Sequence, residues 1–186
     1  MQQVNGSEAS RSNCLRQLQK LRYGFGHFCH WAYLRKVEPL NFPEFAFRIQ
    51  EQGQKKQIFD PVRKKFIPLS PEEWVRQHCL QTLHSVYGIA YSRMAVERGL
   101  RIAGLEKRFD IVVFSPSGKA HVLIECKAPE VKIKPETLLQ ILNYNRSLQC
   151  PWLWITNGLD HHWALCQDGH CAPHEFPNHL DLPSID

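Results

Sequence analysis

The residues best suited to chemistry in this sequence are two carboxylates and a lysine that interrupt apolar stretches. Asp110 comes directly before Ile-Val-Val-Phe, and Glu125 and Lys127 follow Val-Leu-Ile in the next apolar stretch. The turn-forming Pro116-Ser117-Gly118 between them predicts two buried strands joined by a tight turn. Because side chains alternate between the two faces of a strand, Glu125 and Lys127 share one face, and Cys126 lies on the other as a core residue.

The register of this hairpin determines which charges meet. A two-residue Ser-Gly turn places Asp110 directly opposite Glu125, and Arg108 opposite Lys127. Opposed β-carbons lie about 4.5–5.5 Å apart, and carboxylates at that distance repel each other unless a proton or a cation lies between them. Mg²⁺, or Mn²⁺ in its place, prefers such oxygen ligands. The alternative is a buried ion pair of one carboxylate with Lys127 or Arg108, which often contributes no net stability to a core.

Two helices are predicted to flank the hairpin. One starts at Ser70-Pro71-Glu72-Glu73, which combines an N-cap serine, a first-turn proline and a glutamate three residues after the cap, and it stops near Gly88. The other runs from Pro135 to about Leu148, with Gln140 and Tyr144 one turn apart on one face. The predicted inward residues are Val75, Cys79, Thr82, Leu83 and Val86 on the first helix and Leu138, Ile141, Leu142 and Leu148 on the second.

Further strands complete the predicted fold. Tyr91–Ile102 is predicted as a strand that turns at Ala103-Gly104, which places Glu97 opposite Asp110. Glu97, Asp110 and Glu125 would then form a row across three strands. Other strands are predicted at 45–49, 57–59, 152–156 and 162–165, and the chain after Cys166 is expected to wrap or fray. This order of elements predicts an α/β fold with a mixed central β-sheet flanked by helices.

Several polar residues outside the hairpin are candidates for contact with a charged ligand. Arg63, Lys64 and Lys65 are consecutive basic residues, which is compatible either with a solvated basic face or with phosphate contact. Arg76 and Gln77 lie off the inward stripe of the first helix, where we expect them to face solvent or a ligand that lies across the helix.

The composition limits the class of protein. The 186 residues suffice for one domain with a sizeable core, and a net charge of +5 is compatible with a nucleic-acid partner. Seven cysteines at irregular spacing favour reduced thiols in an intracellular compartment. No apolar run approaches the roughly 18–20 residues of a membrane span. We therefore expect a cytoplasmic protein without a membrane partner.

Several short segments carry a resemblance to a known family. They are LNFP at 40–43, IFDPVRKK at 58–65, LSPEEWVRQ at 69–77, KRFDIVVF at 107–114, LIECKAP at 123–129, NYN at 143–145 and ITNG at 155–158, together with Glu97 and Gln140. In this combination the sequence resembles the N-terminal nuclease domain of type I restriction enzyme R subunits, within the PD-(D/E)xK nuclease superfamily. The resemblance covers about two-thirds of the chain, from Leu40 to about Leu165.

The resemblance implies a restriction-endonuclease-like core and Mg²⁺-dependent hydrolysis of DNA. Asp110 and Glu125 would hold the metal ion, and Glu97 would complete the metal site. Lys127 would position or activate a water molecule and stabilise phosphate charge, and Gln140 would orient the phosphate or the water. The residues expected to contact DNA are Arg63, Lys64, Lys65, Arg76, Gln77, Arg108 and Tyr144. R subunits also carry an ATP-driven motor, but this sequence has no GxxxxGK[ST] loop, so ATP hydrolysis is not carried over.

By prediction, the chain consists of an N-terminal extension (1–36), a nuclease-like domain (37–168) and a C-terminal tail (169–186).

Other interpretations of the function remain open. The chain could be a catalytically silent DNA-binding module on the nuclease fold, directed by a restriction-modification or other protein partner that the sequence does not identify. It could also be an interaction domain stabilised by zinc through His161, His162, Cys166, His170, Cys171, His174 and His179. Against zinc, no CxxC pair accompanies the HxxxH spacing, and Pro173 disfavours a helix there.

Overall fold

The computed structural model describes residues 39–97, 99–102, 105–177 and 180. The helices are α1 (Pro71–Ser85) and α2 (Pro135–Leu148), and Tyr91–Arg93 forms one turn of 3-10 helix. The strands are β1 (Ile49–Gln52), β2 (Lys55–Asp60), β3 (Lys65–Pro68), β4 (Met94–Val96), β5 (Gly99–Ile102), β6 (Leu105–Arg108), β7 (Ile111–Phe114), β8 (Ala120–Cys126), β9 (Trp152–Thr156), β10 (His161–Gln167) and β11 (His170–His174). The predicted extension at 1–36, the turn at Ala103-Gly104 and His179 lie outside the described residues.

Six strands form the central sheet, in the order β11-β10-β9-β8-β7-β4. Neighbouring strands within this sheet are antiparallel, except for β8 and β9, which are parallel. Alternate residues of β4, β7, β8, β9 and β10 pack into two separate buried clusters, one shared with α1 and one with α2, so the helices cover opposite faces. The predicted mixed α/β fold is confirmed and is consistent with a restriction-endonuclease-like core. Neither described helix combines the length and the apolar character needed to cross a membrane.

Helix α1 begins where the local sequence predicts it. The hydroxyl of Ser70 accepts a hydrogen bond from the backbone N–H of Glu73 at 3.0 Å, and Pro71 occupies the first turn. The helix ends at Ser85, slightly before the predicted stop at Gly88. The inward residues Val75, Cys79, Thr82 and Leu83 are buried as predicted. Val86 is exposed, contrary to prediction, because it lies beyond the last helical residue.

Helix α2 has the predicted span, but it buries fewer residues than predicted. Ile141 is buried, Leu142 and Leu148 are partly buried, and Leu138 is exposed. The C-terminal half is the anchored part of the helix, because the buried side chain of Asn145 exchanges two hydrogen bonds with the backbone of Cys150. The prediction that Leu138 faces inward is therefore wrong.

The β7–β8 hairpin has the predicted register in its central part. Ile111 pairs with Ile124, which leaves Asp110 and Glu125 at the next opposed positions. The turn itself differs from the prediction, since the N–H of Ser115 donates to the carbonyl of Lys119 and the loop therefore has three residues, 116–118. A β-bulge after Val113 compensates for the extra loop residue.

The strand predicted over Tyr91–Ile102 is divided at Glu97. Before Glu97, β4 pairs with β7 in the central sheet, and after it β5 pairs with β6 in a separate two-stranded sheet. Glu97 has a φ of +48°, in the left-handed region, which interrupts the extended backbone. The predicted register is nevertheless confirmed, because the N–H of Glu97 donates to the carbonyl oxygen of Asp110 at 3.0 Å.

The C-terminal part of the sheet corrects two expectations. Residues His170–His174 form β11 rather than a frayed tail, because each of them pairs with a residue of β10 between Trp163 and Gln167. This pairing places Cys166 directly opposite Cys171, with 4.0 Å between their α-carbons, and the two form a disulfide. The expectation of reduced thiols is therefore wrong for this pair. The other cysteines of the described residues, Cys79, Cys126 and Cys150, are free and buried.

A smaller antiparallel sheet, in the order β1-β2-β3, packs beside α1. Ile58 and Ile67 bury one face of it. Phe45 and Phe47, predicted as a strand, precede β1 and instead pack their rings against His78 of α1. The two segments together cover the sides of α1 that the central sheet leaves open.

Candidate active site

Asp110 lies where the central sheet meets α1. Its Oδ2 atom accepts a hydrogen bond from the backbone N–H of Cys126 at 2.7 Å, and its Oδ1 atom accepts one from Nη2 of Arg76 at 2.7 Å. The first bond ties the carboxylate to the end of β8, and the second ties it to α1. The side chain of Asp110 keeps 16% of its surface exposed, so a solvent-borne ligand can reach it.

Two side chains, those of Lys127 and Gln140, converge on one oxygen of Glu125. Nζ of Lys127 lies 2.6 Å from Oε1 of Glu125, and Nε2 of Gln140 donates to the same oxygen at 3.1 Å. The Gln140 amide also contacts the hydroxyl of Tyr144 at 3.3 Å. The predicted common face of Glu125 and Lys127 is therefore confirmed, and α2 supplies a polar side chain to it. Cys126 points into the core on the other face, 3.9 Å from the sulfur of Cys79.

Burial and the neighbouring groups have opposing effects on the pKa values of Glu125 and Lys127. Burial and the nearby negative charge of Asp110 raise the pKa of Glu125, although Lys127 acts to lower it. Burial alone would lower the pKa of Lys127, but its hydrogen bond to Glu125 and the charge of that group raise it. Lys127 therefore stays protonated at neutral pH. For Glu125, the positive charge of Lys127 does not offset the effect of burial and of the negative charge of Asp110.

Glu97 lies beside Asp110, as predicted, but three arginines surround its carboxylate. Oε2 of Glu97 is 2.6 Å from Nη1 of Arg63, and Oε1 is 2.7 Å from Nη2 of Arg108 and 3.8 Å from Nη1 of Arg76. Burial would raise the pKa of Glu97, but the hydrogen bond from Arg108 and the charges of the three arginines lower it. The role of Glu97 as a metal ligand stays a prediction.

A buried polar network on the other side of Arg76 was not predicted from the sequence. Asp60 accepts hydrogen bonds from Nε of Arg63 and from Nε2 of Gln77, both at 2.8 Å. Glu73 accepts from Arg63 at 2.7 Å and from Gln77 at 2.9 Å, and also pairs with Arg76. Acid–arginine spacings of three residues, as in Asp60/Arg63 and Glu73/Arg76, were the available signal.

The residues expected to contact DNA fall into two groups. Arg76 and Gln77 are buried, and Arg63 binds three carboxylates, so these side chains are held within the network. The expectation that Arg76 and Gln77 face solvent is wrong, because the small sheet and the segment before it cover that side of α1. The remaining predicted contacts are Lys64, Lys65 and Arg108, which are exposed, and Tyr144, which is partly buried. Contact of any of the seven with DNA stays a prediction.

Three of the histidines and cysteines proposed as zinc ligands, Cys166, Cys171 and His161, are engaged in other contacts. Cys166 and Cys171 form the disulfide, and His161 bonds to the hydroxyl of Thr156 and the carbonyl of Asn41. Over residues 39–97, 99–102, 105–177 and 180, no group of three or more His, Cys, Asp or Glu side chains is placed to hold a metal ion. The zinc interpretation therefore has no support from this part of the chain.

A pair of carboxylates, rather than a group of three, still fits a magnesium ion. Mg²⁺ is usually held by one or two protein carboxylates, with water and substrate phosphates completing its shell. Asp110 and Glu125 supply two carboxylates at opposed strand positions, and no described donor bonds to Oε2 of Glu125. The raised pKa of Glu125 indicates that additional positive charge would be accommodated here.

The chain matches the model of a known protein family. The model of the family described as type I restriction enzyme R protein N terminus (HSDR_N) matches residues 71–178, which is more than half of the chain. The matched region begins at α1 and contains the Asp110, Glu125, Lys127 and Gln140 cluster. Searches of the curated proteins and of the solved structures gave no match.

Proposed function

Because this chain belongs to the family of type I restriction enzyme R protein N termini, we propose that it is a Mg²⁺-dependent DNA endonuclease domain. The observation that carries the proposal is the convergence of Asp110, Glu125, Lys127 and Gln140 at the ends of β7 and β8 and on the facing side of α2. Two carboxylates, an ammonium group and an amide at one reachable point suit phosphodiester hydrolysis.

Each residue has a distinct role in this proposal. Asp110 and Glu125 would hold the ion, which when bound lowers the pKa of a water molecule and stabilises charge on the phosphate. Lys127, kept protonated by Glu125, acts as a cation toward the phosphate rather than as a general base. Gln140 can rotate its amide from Glu125 to orient a phosphate oxygen or a water molecule. Arg76 positions Asp110 through the 2.7 Å hydrogen bond and does not touch the substrate.

The test is nicking of supercoiled plasmid with Mg²⁺ by the wild type, Asp110→Asn and Lys127→Met. We expect each substitution to lower the rate by about 100-fold or more, since each removes a charge that the transition state needs. Lys119→Gln is the control, because Lys119 is exposed next to the β7–β8 turn and lies outside the site. Equal nicking by all four proteins, or none by the wild type with Mg²⁺ or Mn²⁺, would count against the proposal.

One observation favours a second candidate, a catalytically silent DNA-binding module. Arg76 and Lys127 already pair with the two carboxylates, which would keep the site folded without a metal ion. This candidate predicts DNA binding in EDTA that survives Glu125→Gln, together with no cleavage under any divalent ion. Both candidate functions include a cytoplasmic location and a protein partner that directs the domain to DNA.

A further inference from the structure

The open face of the small sheet carries a row of one arginine and two phenylalanines. Ile49 pairs with Ile58, and the N–H of Phe59 donates to the carbonyl of Arg48 at 2.9 Å, so Arg48 lies opposite Phe59. Phe59 in turn pairs with Phe66 of β3. The three side chains are thus cross-strand neighbours on the face opposite the buried Ile58.

The guanidinium group of Arg48 lies over this aromatic pair. Its Cζ atom is 4.4 Å from the ring centre of Phe59 and 5.7 Å from that of Phe66, and the ring centres are 5.4 Å apart. Phe59 and Phe66 are half-buried, whereas Arg48 is exposed. An arginine stacked on aromatic rings is a planar, positively charged group with little freedom left to lose on binding.

The charge of Arg48 is not balanced locally. Arg63 and Arg76 each pair with several carboxylates, but within the described ranges no carboxylate lies at salt-bridge distance from Arg48. Residues 48–68 contain six basic and two acidic side chains. One of these acids, Asp60, is buried and bonded to Arg63, and strand alternation directs the other, Glu51, to the opposite face from Arg48.

Polar groups extend the same face beyond the aromatic row. The amide of Gln50 donates to Gln57 at 2.8 Å, and the amide of Gln57 donates to Gln52 at 2.9 Å. Lys55 pairs with Gln52 at the end of the strands and is exposed. The face therefore combines a stacking group, hydrogen-bonding amides and positive charge, and strand alternation places no carboxylate of β1, β2 or β3 on it.

We propose that this face binds single-stranded DNA by stacking an unpaired base on the Arg48–Phe59–Phe66 row. Bases stack on aromatic and guanidinium planes when they are unpaired, while in a duplex both faces of an internal base are covered by its neighbours. Lys55 would meet the phosphate backbone, and the glutamines would meet base edges. The choice of DNA rests on the proposed nuclease function, but the stacking itself requires no cleavage.

The test measures binding without catalysis. A fluorescein-labelled oligothymidylate of about 20 nucleotides is titrated with protein in EDTA, and binding is followed by anisotropy. Arg48→Lys keeps the charge and removes the planar group, and Phe59→Leu removes one ring but keeps an apolar residue. We expect each to weaken binding about ten-fold, in line with the loss of one stacked base. Lys119→Gln serves as the charge-changing control.

A duplex of equal length separates stacking from general attraction. Arg48→Lys should change duplex affinity by less than about two-fold, because both residues carry the same charge. Binding of the oligothymidylate by Arg48→Lys at the wild-type level, or equal losses on both probes, would overturn the proposal. Because no step involves a metal ion, loss of nicking in the plasmid test would leave this result intact. Circular dichroism of each variant confirms that it is folded.

Discussion

At the scale of single residues, Arg76 holds the charges around the site together. Its Nη2 atom bonds both to Asp110 and to Glu72, and its Nη1 atom bonds to Glu73. Burial alone would lower the pKa of Arg76, but the charge of Asp110 and of the other neighbours raises it. One buried cation thus serves three carboxylates, and the orientation of Asp110 depends on it.

Arg76→Met should destabilise the protein strongly, by about 3–5 kcal/mol, because it leaves the partly buried Asp110 without its arginine and removes one of the two arginines that pair with the buried Glu73. Urea unfolding at neutral pH measures this loss. Arg108→Met is the matched control, since the side chain of Arg108 is 66% exposed and its pair with Glu97 should contribute at most about 1 kcal/mol. Equal losses for the two variants would show that Arg76 is not the central cation.

What could be predicted at this scale depended on distance along the chain. The common face of Glu125 and Lys127 follows from alternation over three residues, whereas Gln140 was assigned to the site by the family resemblance. The bond between Arg76 and Asp110 joins residues 34 positions apart on different elements, and no local pattern encodes it. The burial of Gln77 could not be predicted from the sequence for the same reason, because its partner Asp60 belongs to the small sheet.

At the scale of elements, the hairpins were predictable and the helix surfaces were not. The pairings of β7 with β8 and of β4 with β7 follow from short turns and alternating apolar residues. The division of the strand at Glu97 could not be foreseen, because a left-handed glutamate leaves no mark on the apolar pattern. Helix α1 looks amphipathic in sequence, but it is also enclosed by the aromatic segment that precedes β1.

His78 is the titratable group in the packing between that segment and α1. Its ring lies 4.4 Å from Trp74 and 4.6 Å from Phe47, and burial lowers its pKa from 6.5 to about 4. Between these values the unfolded chain binds a proton that the folded chain excludes. Stability should therefore fall as the pH decreases from 6.5 toward 4, by about 3 kcal/mol in total.

Urea unfolding of the wild type and of His78→Gln, at about pH 7 and about pH 4.5, measures this effect. The wild type should lose more stability between the two pH values than the variant does, and the excess is the contribution of His78. His162→Gln is the control because His162 is exposed. An equal pH dependence for wild type and His78→Gln would exclude His78 as the cause.

At the scale of the whole molecule, the first described residues are fastened to the loop after β9. The N–H of Asn41 donates to the carbonyl of Gly158 at 2.7 Å, and the side-chain amide of Asn41 donates to Leu159 at 2.5 Å. Gly158 has a φ of +85°, and a β-carbon there would lie 2.8 Å from Cδ2 of Leu40 and 3.1 Å from Cγ2 of Val75. Asn41, Gly158 and Leu159 thus form a clasp that joins the start of the described chain to the end of β9, next to Val75 of α1.

Gly158→Ala should destabilise the protein more than Gly118→Ala does. Both glycines have positive φ, so both substitutions carry backbone strain of about 1–2 kcal/mol. Only Gly158 has close neighbours, and overpacking there should add about 1–3 kcal/mol, since no atom lies within 4 Å of a β-carbon built at Gly118. Thermal or urea unfolding of both variants measures the difference. Equal losses would mean that Leu40 and Val75 can move aside without destabilising the protein.

The clasp also has a consequence for the order in which the protein can fold on the ribosome. Asn41 and its partner Leu159 are 118 positions apart, so Asn41 leaves the ribosome long before its partner has been synthesised. The hairpin that carries Asp110 and Glu125 needs only neighbouring residues and can pair earlier, since contacts of short separation form first. The two carboxylates can therefore come together before the chain closes around them, because closure needs the residues that follow β9.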